Sequence, residues 1–273
     1  MQAMMETTIN QEALRARFNP EDSLLRRHQM RMLEMLVEVD RVCQKYDIPY
    51  WLSGGTLLGA VRHGGFIPWD DDLDIEMLKK DFDRLMQVLP AELPKTMALQ
   101  TMKTDPNYLF FYAKIRDRNS RLEEPFHYER VYREQGIYID IFPLYPHPKW
   151  IHKLSEHAYG HVYKIMKRMR PKDNEMWKIQ VIKRFNQWVV HPILRFCCMF
   201  GNHGLRNDLG IPHPPERDIK DIYPLKKINF EGIMVPAPND CDHFLTLQYG
   251  NYMQLPKLDE VGSQHVVKLE IYE

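Results

Sequence analysis

The first strong hydrophobic pattern in the chain is helical. Apolar residues recur there at intervals of three, four or seven positions: Leu25, Met32, Leu36, Val39, Cys43 and Tyr46. Residues with this spacing share one face of an α-helix. Asn19 and Pro20, followed by two acidic residues, are typical of a helix start. We therefore predict an amphipathic helix that begins here and ends near Asp47, after an irregular start over residues 1–18.

A change of pattern follows directly. Residues 50–52 are aromatic or apolar and predict a short buried strand, whereas residues 56–62 have helical spacing. Ser53, Gly54 and Gly55 lie between them, and Thr56 opens the helix. Glycine lets the backbone adopt positive φ and approach a ligand closely, and free N–H groups at a helix start favour an anion. This turn is therefore a candidate phosphate site.

Acidic residues dominate the next segment. The alternation of Asp72 and Asp74 with Leu73 and Ile75 predicts a strand, and Asp70 shares the acidic face if the strand extends back that far. Carboxylates on one face repel each other unless a cation neutralises them, and oxygen ligands suit Mg²⁺ or Mn²⁺. The two segments together predict metal-assisted phosphoryl transfer. Taken separately, each is also typical of an ordinary solvated turn.

Further elements follow in order. Residues 79–89 have a helical apolar face and are followed by Pro90, residues 96–102 and 108–115 have strand character, and residues 118–135 predict a loop. Lys114 and Arg116 alternate, so they face either water from an edge strand or a donor phosphate.

Residues 136–143 predict a strand on which Asp140 lies among apolar neighbours. A buried carboxylate needs a partner or a metal, so Asp140 is a candidate third metal ligand, although a structural role stays open. A glycine turn followed by Asp-x-Asp and a later carboxylate is typical of an α/β (α+β) nucleotidyltransferase (polymerase β-like) core with a small mixed sheet.

The segment from 149 to 195 is basic. It has eleven Lys or Arg and three acidic residues, a net charge of +8 in a chain whose total is zero. Repeated apolar positions, among them Trp177, Val181, Phe185 and Trp188, predict two helices broken at Pro171. We interpret the segment as a basic helical insertion that meets an anionic polymer or lipid surface, or presents its charge to water.

The remaining residues predict a loop-rich stretch over 201–227, a hairpin over 230–236 and a short helix over 241–249. We therefore divide the chain into a catalytic core with its N-terminal helix (1–146), the basic insertion (147–227) and a C-terminal element packing back on the core (228–273).

Composition adds the cellular context. Of 273 residues, 44% are hydrophobic and 27% charged, which is ordinary for a globular protein, and a net charge of zero does not predict a nucleic-acid partner. The four cysteines have neither disulfide nor zinc spacing, so we expect free thiols in a reducing compartment. From the pattern we expect neither a signal peptide nor a membrane-spanning segment. The prediction is a cytoplasmic protein, with peripheral contact to the inner membrane face through residues 149–195.

Three stretches resemble the LicD/fukutin family. Residues 55–74 are similar to its core motif and read GTLLGAVRHGGFIPWDDDLD; residues 139–144 (IDIFPL) and 249–256 (YGNYMQLP) resemble two later motifs. The resemblance implies transfer of a phospho-alcohol, with release of CMP, from CDP-choline or the related CDP-ribitol or CDP-glycerol. The implied acceptor is a glycan precursor of lipopolysaccharide, capsule or teichoic acid.

Site roles follow from the residues and the resemblance together. Asp72 and Asp74 would hold Mg²⁺ or Mn²⁺ with Asp140, and Asp140 or Asp70 would accept the proton of the acceptor. The backbone of Ser53, Gly54 and Gly55, with Thr56, would bind donor phosphate. The candidate cations for charge stabilisation are Arg62, Lys114 and Arg116.

Two alternatives stay open. The same core is used by nucleotidyltransferases that add NMP to a small molecule and release pyrophosphate. A protein without catalytic activity could instead use its basic insertion to bind an anionic glycan.

Overall fold

A six-stranded mixed sheet lies at the centre of this computed structural model, which describes residues 10–168, 176–199, 203–212, 216–262 and 265–272. The strands in this part of the chain are β1 (Trp51–Leu52), β2 (Asp74–Leu78), β3 (Met97–Gln100), β4 (Ala113–Asp117), β5 (Ser120–Glu123), β6 (Tyr138–Pro146), β7 (Leu205–Asn207), β8 (Lys226–Phe230), β9 (Ile233–Ala237) and β10 (Lys268–Ile271). The helices are α1 (Gln11–Phe18), α2 (Leu24–Tyr46), α3 (Gly54–His63), α4 (Lys79–Glu92), α5 (Lys149–Arg168), α6 (Met176–Phe185), α7 (His191–Cys198), α8 (Ile219–Ile222) and α9 (Cys241–Tyr249). A 3₁₀ turn spans Tyr128–Val131, and a π-helical turn, Asn186–Val190, joins α6 to α7.

The strand order of the central sheet is β1-β2-β6-β4-β3, with β7 also paired to β6. The pair β2–β6 is parallel, and the other pairs of this sheet are antiparallel. Asp74 is in register with Asp140, and Asp140 with Lys114. Paired positions point to the same side of a sheet, so these three side chains form a row across its middle strands.

The opposite face of the sheet carries the main hydrophobic core. Ile75 and Ile141, the next paired positions, are fully buried, and α2 and α4 pack against this region. The predicted apolar stripe of α2 is confirmed, because Met32, Leu36 and Val39 are fully buried. One face of the sheet is therefore closed by helices, and the other is left for the polar row.

Several predicted boundaries were wrong. The N-terminal region contains α1, and Asn19 caps the C-terminus of that helix; α2 begins after Ser23, whose hydroxyl accepts a hydrogen bond from the Arg26 backbone N–H. Pro90 lies inside α4 rather than beyond it. The strand β2 begins only at Asp74, so Asp70 and Asp72 lie before the strand and not on its face. Residues 118–135, predicted as a loop, contain β5, which pairs with β10.

Other predictions hold. The strand at residues 51–52, the helix after Ser53, the strand that carries Asp140 and α9 form where the pattern placed them, and the predicted hairpin forms as β8–β9 but begins earlier, at Lys226. The basic insertion is helical as predicted, although Pro171 lies outside the described residues. No helix in the described ranges has the length and hydrophobicity needed to cross a bilayer. The proposed three-part division of the chain stays a prediction.

The orientation of the basic insertion differs from the expected one. Trp177, Val181, Phe185 and Trp188 mark the helices correctly, but their side chains are exposed. The side chain of Lys183 is instead buried, and Arg195 forms an ion pair with Asp208. Hydrophobic periodicity located these helices but did not identify which face is buried.

Candidate active site

The glycine turn lies directly against the acidic segment. Gly54 has φ of +55°, and a Cβ atom at this position would lie 2.8 Å from Asp74 Oδ2. A Cβ atom on Gly55 would lie 2.7 Å from Asp70 Oδ2 and 3.9 Å from Asp72 Oδ1. The positive φ of Gly54 favours glycine there, and the missing Cβ atoms let the first turn of α3 approach the carboxylates closely. The positive end of α3 also stabilises the negative charge beside it.

Two hydrogen bonds fix α3 to the start of β2. The Asp74 backbone N–H donates to Thr56 Oγ1 at 2.8 Å, and the Ser53 N–H donates to the Asp74 carbonyl at 3.1 Å. The hydroxyl of Thr56 is thus engaged in placing Asp74. Both Ser53 and Thr56 are buried, so their part in any ligand contact falls to the backbone at the turn.

Asp70, Asp72, Asp74 and Asp140 form what we call the carboxylate cluster. Burial, followed by the negative charges of Asp72 and Asp140, raises the pKa of Asp74 well above its usual value. Burial, followed by Asp72 and Asp71, does the same to the pKa of Asp70. The cluster therefore carries negative charge that the protein neutralises only in part, and it has a strong electrostatic preference for a cation.

Lys114 is the cation next to this cluster on the sheet. Its Nζ donates to Asp140 Oδ1 at 2.7 Å and lies 3.2 Å from the ring centroid of Tyr138. Burial raises the pKa of Asp140, although Lys114 opposes the effect. Burial likewise lowers the pKa of Lys114, against the attraction of Asp140. The strand register thus brings a buried carboxylate into contact with a buried ammonium group.

His265 was not among the predicted site residues. Its Nε2 lies 3.1 Å from Asp72 Oδ2, and this hydrogen bond is the main cause that raises the pKa of His265 to about 9. Burial favours the neutral form of Asp72, but His265 and the other hydrogen bonds hold its pKa below the usual value. Asp71 helps to hold His265 in this position. Its Oδ2 accepts hydrogen bonds from the backbone N–H groups of His265 at 2.9 Å and Val266 at 3.0 Å.

Tyr249 is a second residue that sequence reasoning did not assign to the site. Partial burial raises the pKa of its hydroxyl, and the charges of Asp74, Asp72 and Asp70 raise it further, while the side chain as a whole is 42% exposed. Tyr249 ends α9 and belongs to the 249–256 stretch singled out above. The C-terminal element was expected to pack back on the core, but no local pattern assigned Tyr249 to the carboxylates.

The two candidate arginines are held by other partners. Arg62 Nη1 donates to the Tyr252 carbonyl at 2.8 Å, and Arg62 Nε to His63 Nε2 at 2.9 Å. Arg116 is fully buried and donates to Gln100, the Gly136 carbonyl and Glu124. The structure therefore brings Lys114 into direct contact with the cluster, whereas the guanidinium groups of Arg62 and Arg116 fix neighbouring segments.

The donor chemistry of the cluster fits a hard divalent cation. All four members offer carboxylate oxygens, the ligands that Mg²⁺ and Mn²⁺ prefer, and the raised pKa values indicate charge to be neutralised. Within the described ranges, no three His, Cys, Asp or Glu side chains are already grouped as a metal ion would require. Asp72 and Asp140 instead contact His265 and Lys114.

Comparison with known proteins gives consistent matches. A family model of the LicD/FKTN/FKRP nucleotidyltransferase domain matches residues 47–171. Over 266 residues the chain is 28% identical to lipopolysaccharide cholinephosphotransferase LicD of Haemophilus influenzae, covering 89% of this chain and 96% of that protein. Over 209 residues it is 30% identical to human ribitol 5-phosphate transferase FKRP, covering 77% of this chain but 29% of that protein. A 59-residue match to an uncharacterised Rickettsia prowazekii protein is 46% identical and covers 22% of each chain.

Proposed function

This chain belongs to the LicD/fukutin family, and on that premise we propose that it is a metal-dependent transferase. It moves a phospho-alcohol, most specifically phosphocholine, from a CDP-activated donor to a sugar hydroxyl of a cell-surface glycan and releases CMP. CDP-choline is the first donor to test, followed by CDP-ribitol and CDP-glycerol. The acceptor is a precursor of lipopolysaccharide, capsule or teichoic acid.

Two kinds of observation support this proposal. The relative matched along 96% of its length is named as a cholinephosphotransferase acting on lipopolysaccharide, and FKRP is named as a ribitol 5-phosphate transferase. Both names describe transfer of a phosphorylated alcohol. We further propose that residues 1–146 form a nucleotidyltransferase-type core, as the description of the matching family model suggests.

The observation that carries the proposal is the row of Asp74, Asp140 and Lys114 across three adjacent strands, with Asp72 beside it. We propose that Asp72, Asp74 and Asp140 hold Mg²⁺ or Mn²⁺. When bound, the ion would neutralise the donor diphosphate and stabilise CMP as the leaving group. Asp140 would then exchange part of its contact with Lys114 for the metal.

The remaining roles fall to groups around the cluster. Backbone N–H groups of Gly54, Gly55 and Thr56 at the start of α3 bind the donor phosphate oxygens, and Ser53 holds the turn through its N–H bond to the Asp74 carbonyl. Lys114, freed in part from Asp140, offsets the charge that develops on the transferred phosphoryl group. Arg62 and Arg116 act on the same charge from a greater distance.

The transfer balances as a single displacement. The acceptor oxygen forms a bond to the phosphorus that bears the alcohol, and the bond from that phosphorus to the CMP oxygen breaks. The hydroxyl proton of the acceptor passes to a carboxylate of the cluster, with Asp140 and Asp70 as the two candidates. CMP leaves with the electron pair of the broken bond.

We place the reaction in the cytoplasm at the inner face of the membrane. All four cysteines are free thiols, with Cys43 and Cys198 buried, which suits a reducing compartment. No nucleic-acid partner is part of the proposal.

The decisive experiment measures CMP release from a panel of CDP-alcohols, with crude surface glycan as acceptor and with or without Mg²⁺. Wild type is compared with Asp72→Asn, and Asp259→Asn is the matched control, because the side chain of Asp259 is 92% exposed on the surface. We expect metal-dependent release from one donor, its loss in Asp72→Asn and its retention in Asp259→Asn. Full activity in Asp72→Asn would refute the metal assignment.

The same assay separates the alternatives. Release of pyrophosphate from a nucleoside triphosphate would show an NMP-adding nucleotidyltransferase instead. If no donor reacts, calorimetry with each CDP-alcohol and with Mn²⁺ comes next. Tight binding of an anionic glycan, together with no binding of donor or metal, would identify a non-catalytic binding protein.

A further inference from the structure

The segment from α6 to α7 presents an unusual surface. Six large apolar side chains are each between 56% and 74% exposed: Trp177, Val181, Phe185, Trp188, Ile193 and Phe196. We call this set the apolar face. Isolated exposed apolar residues are common on proteins, but a continuous row of this size indicates a surface that binds a partner.

The spacing shows that these residues form one face rather than a scattered set. The buried positions of the same segment are Ile179, Lys183, Asn186, His191, Leu194 and Cys198, which recur every three to five residues. The apolar face occupies the opposite side of the same helices. Trp188 lies in the π-helical turn, so the row continues from α6 into α7 without a break.

Polar contacts fix the segment in this orientation. Lys183 Nζ donates to the Tyr108 carbonyl at 3.1 Å, Gln180 Nε2 donates to the Pro106 carbonyl at 2.7 Å, and Arg195 pairs with Asp208 at 2.7 Å. These polar groups therefore bind the rest of the protein on the buried side of the segment. A rotation that buried the apolar face would break all three contacts, so its exposure is built into the fold.

The charges beside the apolar face have one sign. Lys178 and Arg184 are exposed at the edge of the row, and residues 176–199 contain no Asp or Glu. Exposed tryptophan and phenylalanine flanked by Lys and Arg, with no acidic residue, are the composition of a helix that lies in the interface of an anionic bilayer. Two copies of the chain joined through this face would bring like charges together with no carboxylate of the segment to neutralise them.

We propose that the apolar face docks on an anionic phospholipid membrane, with α6 and α7 lying in its surface and Trp177 and Trp188 inserted at the headgroup level. The part of the basic segment that makes the contact is residues 176–199. Its apolar side chains contact the lipid hydrocarbon, and Lys178 and Arg184 face the lipid phosphates. Vesicle binding needs no donor, acceptor or metal, so it is independent of the proposed transferase activity.

Flotation of the full chain with vesicles tests the proposal. One set is phosphatidylcholine alone, and the other is an equal mixture of phosphatidylcholine and phosphatidylglycerol. We expect the wild type to float with the mixed vesicles and about tenfold more weakly with the neutral ones, because two cations lie near the surface. The double variant Trp177→Ser/Trp188→Ser should lose at least about tenfold in partitioning.

A matched pair of variants controls for a general effect of added charge. Val181→Asp places a carboxylate on the apolar face, whereas Val37→Asp places it on α2, where Val37 is 43% exposed. Val181→Asp should abolish flotation and Val37→Asp should leave it unchanged. Equal loss in both variants, or no flotation of the wild type with either vesicle, would overturn the proposal. Light scattering that shows a wild-type dimer and a monomeric double-tryptophan variant would overturn it in favour of a second copy.

Discussion

Two regions of this molecule reverse the usual distribution of side chains, in opposite directions. The carboxylate cluster brings four acidic side chains together, with Asp140 buried and the other three half-buried, and the apolar face places large hydrocarbon groups in water. Proteins normally avoid both arrangements, because each weakens the folded state or its solubility. Under the two proposals made above, each region is adapted to a partner: a cation with its phosphorylated ligand in the first, and a membrane surface in the second.

The two regions also differ in how far apart in sequence their residues lie. The carboxylate cluster combines residues of the 70–74 segment and β6 with Lys114, Tyr249 and His265, which the complete fold brings together. The apolar face is formed by one continuous segment of 24 residues, 176–199. Unfolding any part of the core would therefore dismantle the first region, whereas the second depends mainly on local helical structure and a few anchoring contacts.

The largest effect that would test this comparison comes from Asp74→Asn. We expect turnover to fall by about a thousandfold or more, because the residue would no longer offer a charged ligand to the metal. Thermal stability should be unchanged or higher, because burial and neighbouring carboxylates disfavour the ionised form of Asp74 in the folded protein. Steady-state CMP release and thermal unfolding of the same sample provide both values.

A drop in stability together with the loss of activity would contradict this expectation. It would mean that Asp74 is held by contacts on which the fold depends. The conservative change Asp74→Glu is a useful companion, since it keeps the charge but lengthens the side chain against Gly54, where even a Cβ atom on the glycine would lie 2.8 Å from Asp74 Oδ2.

A second test contrasts the cluster with its structural neighbour on β2. Glu76 forms an ion pair with Arg217 at 3.1 Å, and both side chains are buried. Arg217→Met should lower the free energy of unfolding by about 3–5 kcal/mol, because it leaves Glu76 as a buried charge without its partner. Urea denaturation measures the change.

The double variant Glu76→Leu/Arg217→Met serves as the control. It removes both charges and should recover most of the lost stability. If Arg217→Met alone had no effect, the pair would not contribute to the fold. The contrast between a charge kept for stability and a charge kept for binding would then disappear.

The parts of this site that sequence could predict are those defined by neighbours along the chain. The alternation around Asp74 and Asp140 and the glycine turn at Ser53 each follow from local spacing, and the structure confirms the strands and helix that they predict. The row with Lys114 required the strand register, which local spacing does not contain.

The missed parts depend on long-range contacts. Asp71 binds backbone N–H groups 194 and 195 residues further along the chain, and this contact, together with the pairing of β10 with β5, places His265 beside Asp72. No local pattern around His265 signals that contact.

Similarly, α1 is a short and mostly polar helix whose Gln11 bonds to the carbonyl of Arg62 and to His63, so its stability comes from tertiary contacts. In α6, periodicity predicted a helix, but the inner anchors at Gln180 and Lys183 decide which face is buried.

A smaller effect on stability is expected from the titration of His191, which lies on the buried side of the segment that carries the apolar face. Burial lowers the pKa of His191 from 6.5 to about 4, and its Nε2 atom is buried without a hydrogen-bond partner. The folded protein thus holds a neutral imidazole. Its contribution to stability is full above pH 6.5 and is lost as the pH falls from 6.5 towards 4, by about 3 kcal/mol.

The variant His191→Phe isolates this effect, because the new ring can keep the contact with Phe111, whose centroid lies 4.4 Å from that of the imidazole. Denaturation at pH 7 and at pH 4.5 should show a smaller difference in the variant than in the wild type. An unchanged pH dependence would show that His191 does not titrate between these values.

The smallest effect concerns the apolar face itself and is the sharpest test of its exposure. Trp188 is 74% exposed, so Trp188→Ser should change the free energy of unfolding by no more than about 0.5 kcal/mol. Ile179 on the same segment is fully buried, and Ile179→Ala should cost about 2–4 kcal/mol. Urea denaturation of both variants without lipid measures the contrast.

A loss above about 2 kcal/mol in Trp188→Ser would show that the indole packs against protein in solution. A near-zero change, despite removal of an entire indole, would mean that folding gains nothing from this tryptophan, so any advantage of keeping it must come from what it binds.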